Sequence, residues 1–326
     1  MTRARSVAAT REGHAPRGTV VVGLGWGLLL ARVVNGYSGT RLLGVVDLDG
    51  EKAQRVAGEL GTAAFTSVEE ALRLPGVEAA LIAVPPDGHV EVATRCIDAG
   101  LHVYVEKPVG RERSPQDVIE ISERARAAGV RFMPGYSQRF KASVRAAVEV
   151  VRSGGLGTVL SVDILRQSWF GPAWTVAPGW GIHDYHLCNV LAGAPPRAVT
   201  AFSPSAAGYD CGHTTEVIVE HDGGAISRCK TSMFASAHEE VIRVHGERGE
   251  IVAYFPEERM QVRTRESERE VRWGRDPGFV ENALVHFFEQ LDNDEGFHVT
   301  LEEALQGRLI LNATWQSLES GARVIL

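Results

Sequence analysis

The sequence contains few cysteines, no long hydrophobic run and no cluster of basic residues, and each absence excludes a class of protein. Its four cysteines show neither a CxxC pair nor Cys/His ligand spacing, so we expect no disulfide framework, no metal site and a reducing cytoplasm. The longest apolar runs, such as Thr19–Leu30, are about half of the roughly 20 residues that cross a bilayer, so no membrane span is predicted. A net charge of -7 without a basic face disfavours nucleic acid as a partner.

The pattern of strands and helices changes once along the chain. From Gly18, short β-branched runs alternate with helical stretches, which is typical of βαβ units on a parallel sheet. After about Phe140, longer alternating runs such as Val159–Leu165 and Glu216–Glu220 indicate a mostly antiparallel sheet. The predicted parts are a disordered tail (1–17), a parallel α/β domain (18–140) and a second α/β domain (141–326).

A glycine-rich turn follows the first predicted strand, Thr19–Val22, and opens a helix. The turn reads Gly23-Leu24-Gly25-Trp26-Gly27. Glycines in this place let the backbone approach a pyrophosphate, whose charge then lies at the helix N-terminus. The turn departs from the GxGxxG pattern because its last glycine comes one position early and Leu28 occupies the expected place. A tight turn without any ligand would account for the same glycines.

Asp47 favours the nucleotide interpretation of this turn. It stands at the end of the next predicted strand, 22 residues after Gly25, which is the position that binds the adenosine ribose. A carboxylate there accepts from the 2′-hydroxyl and repels a 2′-phosphate. The sequence therefore predicts a Rossmann domain that prefers NAD, with NADP as the alternative and Arg41 as the nearest compensating cation.

Several segments resemble a known family. They are Ala83–His89 (AVPPDGH), Gly100–Pro108 (GLHVYVEKP), Gly135–Phe140 (GYSQRF), Gly181–His183 (GIH) and Trp315–Gly321 (WQSLESG). Together they resemble the glucose–fructose oxidoreductase, inositol dehydrogenase and rhizopine-catabolism (Gfo/Idh/MocA) family over nearly the whole chain. The resemblance implies a Rossmann domain followed by an α/β domain with a large open mixed, mostly antiparallel sheet. The exposed face of that sheet would form the interface of a homodimer or homotetramer.

The resemblance also implies an activity, namely hydride transfer between nicotinamide and a carbinol or ketone carbon of a sugar, cyclitol or nucleotide-linked sugar. Lys107 would reach both the nicotinamide ribose and the reacting hydroxyl, in a turn held by Glu106 and Pro108. The further residues expected to hold the cofactor are Val84, Pro85, Pro86 and His89, beside the glycine turn, Asp47 and Glu106.

His183 matches the family's histidine near the substrate carbinol. An imidazole suits general acid–base chemistry because its ordinary pKa is close to neutrality. The family pattern places an aspartate four residues earlier, where this sequence has Gly179. The histidine could then be oriented by Asp184, by Tyr185 or by the substrate, and Tyr185 is itself a second catalytic candidate. A packed histidine at a helix start is the structural alternative.

The predicted substrate-binding residues are Arg139, Trp180 and His186. Four aromatic residues precede Tyr185 and His186, and stacking on a sugar ring and packing both remain open for them: Trp169, Phe170, Trp174 and Trp180. Two other functions also remain open. The chain could reduce a non-sugar carbonyl or imine, or it could be a non-catalytic NAD(P)-binding regulator of the same fold.

Overall fold

The computed structural model describes residues 15–110, 114–169, 177–204, 213–255, 258–273, 278–293 and 296–326. The chain divides into two compact units. The first contains the described residues up to Ser137 together with Val280–Leu301, and the second contains Gln138–Phe279 together with Glu302–Leu326. Most of the predicted tail lies outside the described residues, and Arg17 already belongs to the first strand. The predicted domain boundary near residue 140 stays a prediction.

The helices and strands have the following bounds. In chain order they are β1 (Arg17–Val22), α1 (Gly27–Gly36), β2 (Thr40–Val46), α2 (Gly50–Leu60), β3 (Ala63–Phe65), α3 (Val68–Leu72), β4 (Ala79–Ile82), α4 (His89–Asp98), β5 (His102–Glu106), α5 (Gln116–Ala127), β6 (Phe132–Gly135), α6 (Ala142–Arg152), β7 (Val159–Trp169), α7 (Ile182–Ala192), β8 (Pro196–Phe202), β9 (Thr214–His221), β10 (Ile226–Ser232), β11 (Phe234–Gly246), β12 (Gly249–Tyr254), β13 (Arg259–Thr264), β14 (Glu268–Arg272), α8 (Phe279–Asn293), α9 (Leu301–Ser320) and β15 (Val324–Ile325).

The first unit is built on a parallel sheet with the strand order β3-β2-β1-β4-β5-β6. This confirms the predicted parallel fold, and the order is that of the Rossmann sheet. The central strands are buried, as Val20, Leu81 and Val103 show with 0% exposure, which is expected where crossover helices cover both faces. The strand order reverses between β1 and β4, so a crevice forms beyond the carboxyl ends of β1, β4 and β5.

Local sequence explains where the helices of this unit begin and end. Asp49 caps α2 by accepting a hydrogen bond from the backbone N–H of Lys52 at 3.0 Å, and Gly61 ends the helix with a left-handed φ of 69°. The segment Val280–Leu301 joins this unit through aromatic contacts, since Phe287 meets Tyr104 edge to face at 6.0 Å.

The second unit is built on a nine-stranded sheet with the order β14-β13-β12-β11-β7-β10-β9-β8-β15. Only β7 and β10 pair in parallel within the described residues, and the other neighbours are antiparallel, so the predicted mixed, mostly antiparallel sheet is confirmed. Burial alternates strictly along β9, which shows that one face of the sheet is covered. Helices α6 and α7 pack on that face. No helix in the described ranges has the length and apolar character that a bilayer crossing demands.

Candidate functional site

The glycine turn lies at the carboxyl end of β1, as predicted. Gly23 has a left-handed φ of 85°, and its N–H donates to the Val46 carbonyl oxygen at 2.8 Å. A Cβ on Gly23 would lie 2.7 Å from the carbonyl oxygen of Ala83, in the loop after β4. Only glycine fits both the conformation and this close approach. The turn therefore brings the ends of β1, β2 and β4 together.

The start of α1 has the features of a pyrophosphate site. Trp26, at the N-cap, makes no side-chain capping bond, and the first turn carries no acidic residue. The N–H of Leu29 donates to the Trp26 carbonyl oxygen at 3.0 Å, and no contact among the described residues takes the N–H groups of Gly27 and Leu28. The helix dipole favours an anion at this end. A Cβ on Gly25 would meet no atom within 4 Å, so there is open space beside the turn. The residues present fit a bound dinucleotide.

Asp47 follows β2 and points towards the glycine turn. Its carboxylate accepts the backbone N–H of Leu24 at 2.7 Å and that of Asp49 at 3.0 Å, and the Nζ of Lys52 lies 3.0 Å away. Burial opposes ionisation, but these hydrogen bonds prevail and lower the pKa of Asp47. The carboxylate is therefore ionised and held at the place where a ribose hydroxyl is expected.

Lys52 is a residue that the sequence analysis missed. The nearest cation to Asp47 is this lysine, on the first turn of α2, and the expectation that named Arg41 was wrong. Arg41 instead points towards Gly76. No sequence motif predicts the role of Lys52, because lysines are common in helices and carry no signal of a binding site. Its ammonium offsets the charge of Asp47, so a 2′-phosphate would meet a neutralised pair rather than a bare carboxylate.

Glu106 ends β5 and is only 5% exposed. Its Oε1 accepts the indole N–H of Trp26 at 3.2 Å and the hydroxyl of Tyr104 at 3.3 Å. Burial raises the pKa of Glu106 to about 7, although the neighbouring Lys107 acts in the opposite direction. The indole of Trp26 is itself 50% exposed. The glycine turn and the turn that carries Lys107 are thus linked by a hydrogen bond to a carboxyl group that titrates near neutrality.

Lys107 stands directly after β5 and is partly exposed, and its peptide bond to Pro108 is cis. The Nδ1 of His89, the first residue of α4, lies 3.0 Å from the Pro108 carbonyl oxygen, which fixes this turn against the helix. His89 is 1% exposed. The remaining predicted cofactor residues, Val84, Pro85 and Pro86, occupy the loop between β4 and α4. The predicted cofactor residues of the first unit therefore lie at or directly beyond the carboxyl ends of β1, β2, β4 and β5.

The predicted residues of the second unit gather at the start of α7. His183 is the second residue of this helix and is 5% exposed. Gly179 lies in the π-helical turn Ala177–Gly181, and a Cβ on it would meet no atom of the described residues within 4 Å. Within the described part of the chain, nothing fills the place where the family has an aspartate. Trp180 lies next to it, with the guanidinium of Arg166 5.6 Å from its ring.

Three other predicted residues lie deep in the second unit. Tyr185 is fully buried, and burial raises the pKa of its hydroxyl, which lies beside Thr314. His186 is 1% exposed, and burial together with the nearby Arg139 lowers its pKa to about 3, so the ring is neutral near pH 7. Arg139 is itself 3% exposed. These surroundings favour packing for Tyr185 and His186. Phe170 and Trp174 lie outside the described residues.

A buried charge network behind His183 was also not foreseen. The carboxylate of Asp184 accepts from the guanidinium of Arg166 at 2.9 Å and from the hydroxyl of Thr231 at 2.9 Å. Arg166 also donates to Glu240 at 2.8 Å. The carboxylate of Asp184 is therefore bonded to side chains of the sheet. This disfavours a role for Asp184 in orienting the neighbouring His183. The sequence could not reveal this network, because its members come from four separate elements, α7, β7, β10 and β11.

The parallel sheet, the glycine turn, the uncapped helix and Asp47 together define a dinucleotide-binding α/β protein. Residues 17–136 match the oxidoreductase family with an NAD-binding Rossmann fold (GFO_IDH_MocA), and residues 144–252 match the GFO/IDH/MocA C-terminal domain. The chain therefore belongs to the Gfo/Idh/MocA family, and its first unit is an NAD-binding Rossmann fold.

Relatives of this chain differ in what they act on. The 2,7-anhydro-N-acetylneuraminate hydratase of Mediterraneibacter gnavus is 30% identical over 197 residues, and that match spans 56% of this chain and 51% of the relative. Inositol 2-dehydrogenase 3 of Saccharopolyspora erythraea is 33% identical over 156 residues, 46% of each chain. The chain thus spans about half the length of these relatives.

Solved structures of low sequence identity share the whole fold. GenD2 from gentamicin A biosynthesis, in complex with NAD, is 24% identical, with a TM-score of 0.82 over 98% of this chain and 99% of its own. UDP-N-acetylglucosamine 3-dehydrogenase GnnA from Acidithiobacillus ferrooxidans is 21% identical, with a TM-score of 0.84 over 94% of this chain and 98% of its own.

Proposed function

We propose that this chain is an NAD-dependent dehydrogenase, or the reductase of the reverse reaction, that acts on a CH–OH group of a sugar or cyclitol. The observation that carries the proposal is the Lys107 turn. It follows a buried strand, is fixed by His89, and is linked through Glu106 to the glycine turn that fits a dinucleotide. A lysine with no function would rarely be supported by two buried partners.

Each proposed role uses the ordinary chemistry of its side chain. Bound NAD supplies the hydride acceptor. Lys107 presents an ammonium that donates to the nicotinamide ribose and to the reacting hydroxyl, and so orients both. His183 exchanges the proton of that hydroxyl, a step that suits an imidazole because its ordinary pKa lies near neutrality. Because Gly179 supplies no carboxylate at the place where the family pattern has an aspartate, we expect a modest contribution from His183.

The test is a turnover assay with NAD and NADP against a panel of sugars, cyclitols and nucleotide-linked sugars. We expect reduced cofactor to form with at least one neutral substrate, and Lys107→Ala to abolish turnover while the protein stays folded. Lys230→Ala, which removes a half-exposed lysine on β10, is the matched control. Wild-type turnover by Lys107→Ala would remove that lysine from the mechanism.

Two other functions are distinguished by the same assay. NAD binding without turnover on any substrate would favour a regulator that binds the nucleotide only. Turnover confined to non-sugar carbonyls or imines would favour a reductase of another substrate class. Both alternative functions are worth testing because the family's aspartate, which would stand beside Lys107 and His183 in handling the proton, is replaced here by Gly179.

We further propose a homodimer or homotetramer in a reducing cytoplasm. The outward face of the nine-stranded sheet carries large exposed apolar side chains, among them Trp169, Phe202 and Ile226. Such side chains on one open sheet face favour association. All the described cysteines are free thiols, which supports a reducing compartment. Phe202→Asp should lower the mass measured by light scattering, and an unchanged mass would exclude this face as the interface.

A further inference from the structure

A cavity of about 240 Å³ lies within the second unit, apart from the residues assigned above. The start of α6, strand β11, the turn between β12 and β13, and the end of β14 line it. We call it the Trp273 cavity after the indole on its wall. Pockets for drug-sized ligands measure roughly 300–1,000 Å³, so this cavity suits a single ring rather than a nucleotide-linked sugar.

One wall of the Trp273 cavity is a buried and mutually neutralised pair of charges. The Nζ of Lys141 donates to Oε2 of Glu240 at 2.7 Å, and the other oxygen of Glu240 accepts from Arg166 at 2.8 Å. Lys141 also lies 5.2 Å from the ring of Phe255 and 5.4 Å from that of Phe279. The ammonium of Lys141 is therefore held in place, and its charge is balanced by Glu240. It keeps donors for a hydroxyl group but offers no free charge to an anion.

The rim of the cavity carries a second, less constrained carboxylate. Glu258 has a left-handed φ of 49°, the single non-glycine residue with positive φ in the described chain. Two backbone bonds hold it: its N–H donates to Phe255 at 3.3 Å, and its carbonyl accepts from Trp273 at 3.4 Å. Non-glycine residues in this conformation concentrate at binding and active sites. The exposed side chain makes no ion pair with a described residue.

Because Lys141 and Arg166 balance the charge of Glu240, the unbalanced charge of the described lining is that of Glu258, with His238 half-exposed at the edge. This negative charge at the rim disfavours a phosphate or a carboxylate on the ligand. The aromatic walls, Trp273 above all, offer a flat apolar surface to a ring and a favourable face to a cation. An uncharged ring or an ammonium-bearing ring satisfies both conditions.

We propose that the Trp273 cavity binds the ring of an uncharged or amino-substituted sugar or cyclitol, and that it rejects acidic and phosphorylated ones. The choice of a sugar or cyclitol ring rests on the proposed function. The preference in charge rests on the cavity alone.

The experiment compares three rings of similar size and different charge: myo-inositol, glucosamine and glucuronate. Each is titrated into the full chain by calorimetry with NADH present, because the reduced cofactor accepts no hydride. We expect myo-inositol and glucosamine to bind and glucuronate to bind at least tenfold more weakly. Equal affinity for glucuronate and glucosamine, or no binding of either favoured ring at millimolar concentration, would overturn the proposal.

Two variants then assign the binding to this cavity. Trp273→Ala should lower the affinity for both favoured rings at least tenfold, and Trp273→Phe should retain most of it. Glu258→Gln should weaken glucosamine several-fold and leave myo-inositol unchanged, whereas Glu266→Gln, at an exposed position on the neighbouring hairpin, should change neither. Unaltered affinities in both Trp273→Ala and Glu258→Gln would refute the assignment.

The outcome can be separated from that of the proposed function. NADH affinity and turnover are measured on the same samples, and they report on the Rossmann unit and on the chemistry. Failure of ring binding with intact cofactor binding and turnover would contradict the Trp273 cavity alone. Failure of the wild-type chain to bind NADH would contradict the proposed function instead.

Discussion

Glu106→Gln should stabilise the protein at alkaline pH, because the wild-type carboxyl group is costly to ionise in its buried position. Its pKa is raised from 4.5 to about 7, first of all by burial. At about 1.4 kcal/mol for each pKa unit, ionised Glu106 costs the folded state about 3 kcal/mol. The glutamine keeps a carbonyl oxygen that can accept from Trp26 and Tyr104, so the two hydrogen bonds need not be lost.

The sign of the effect follows from proton binding. Between pH 4.5 and about 7 the folded protein retains the Glu106 proton after the unfolded chain has lost it. The wild-type free energy of unfolding should therefore fall across this range relative to that of the variant, and the difference should level off at about 3 kcal/mol above pH 7.

Urea unfolding followed by circular dichroism at intervals from pH 4.5 to 8.5 measures this difference. Glu120→Gln, which neutralises an exposed carboxylate on α5, is the control and should show no such slope. A difference between wild type and Glu106→Gln that stays constant across the whole range would refute the reasoning, since it would mean that Glu106 ionises as an ordinary surface carboxyl group.

Three further outcomes are expected. Lys52→Ala should weaken NADP binding about tenfold more than NAD binding in calorimetric titrations, because it removes a charge-assisted partner of a 2′-phosphate. Arg55→Ala on the same helix is the control. Equal losses of affinity for both cofactors would exclude a role for Lys52 in binding the 2′-phosphate. His183→Ala should lower turnover about 100-fold with unchanged NAD affinity, while Tyr185→Phe should keep turnover; the reverse result would assign the proton to the tyrosine. Asp184→Asn should cost about 1.5–3 kcal/mol in urea unfolding, because it removes one of the two carboxylates that pair with the buried Arg166, and a cost below about 1 kcal/mol would show that water reaches the site.

The first unit was largely predictable because its signals are local. The Rossmann order follows from strands and helices that alternate at short spacing, and Asp47 could be assigned from its distance to Gly25 along the chain. What escaped prediction depends on side chains meeting in space. Lys52 turns back onto Asp47 from the next helix, and the indole of Trp26 reaches Glu106 from another loop. Neither contact leaves a pattern in the sequence.

The second unit was harder to predict at the level of residues. Its sheet could be inferred from alternating runs, but the polar edge strand β14 carries too few apolar residues to be recognised. Helix α7 is buried on all sides from Ile182 to Leu191. Without an apolar stripe, its sequence does not show which residues face the sheet and which face a ligand. The roles of Tyr185 and His186 stay predictions for that reason.

The first unit is completed only by a segment from near the other end of the chain, Val280–Leu301. Phe287 covers the ring of Tyr104, and Asp292 pairs with Arg17 at the start of the first strand. During synthesis, the nucleotide-binding half must therefore wait for nearly the entire polypeptide before its last helix can dock. A fragment cut after the parallel sheet would expose the aromatic surface that this helix covers. The amino-terminal half should consequently be a poor unit for separate expression, whatever its apparent independence in sequence.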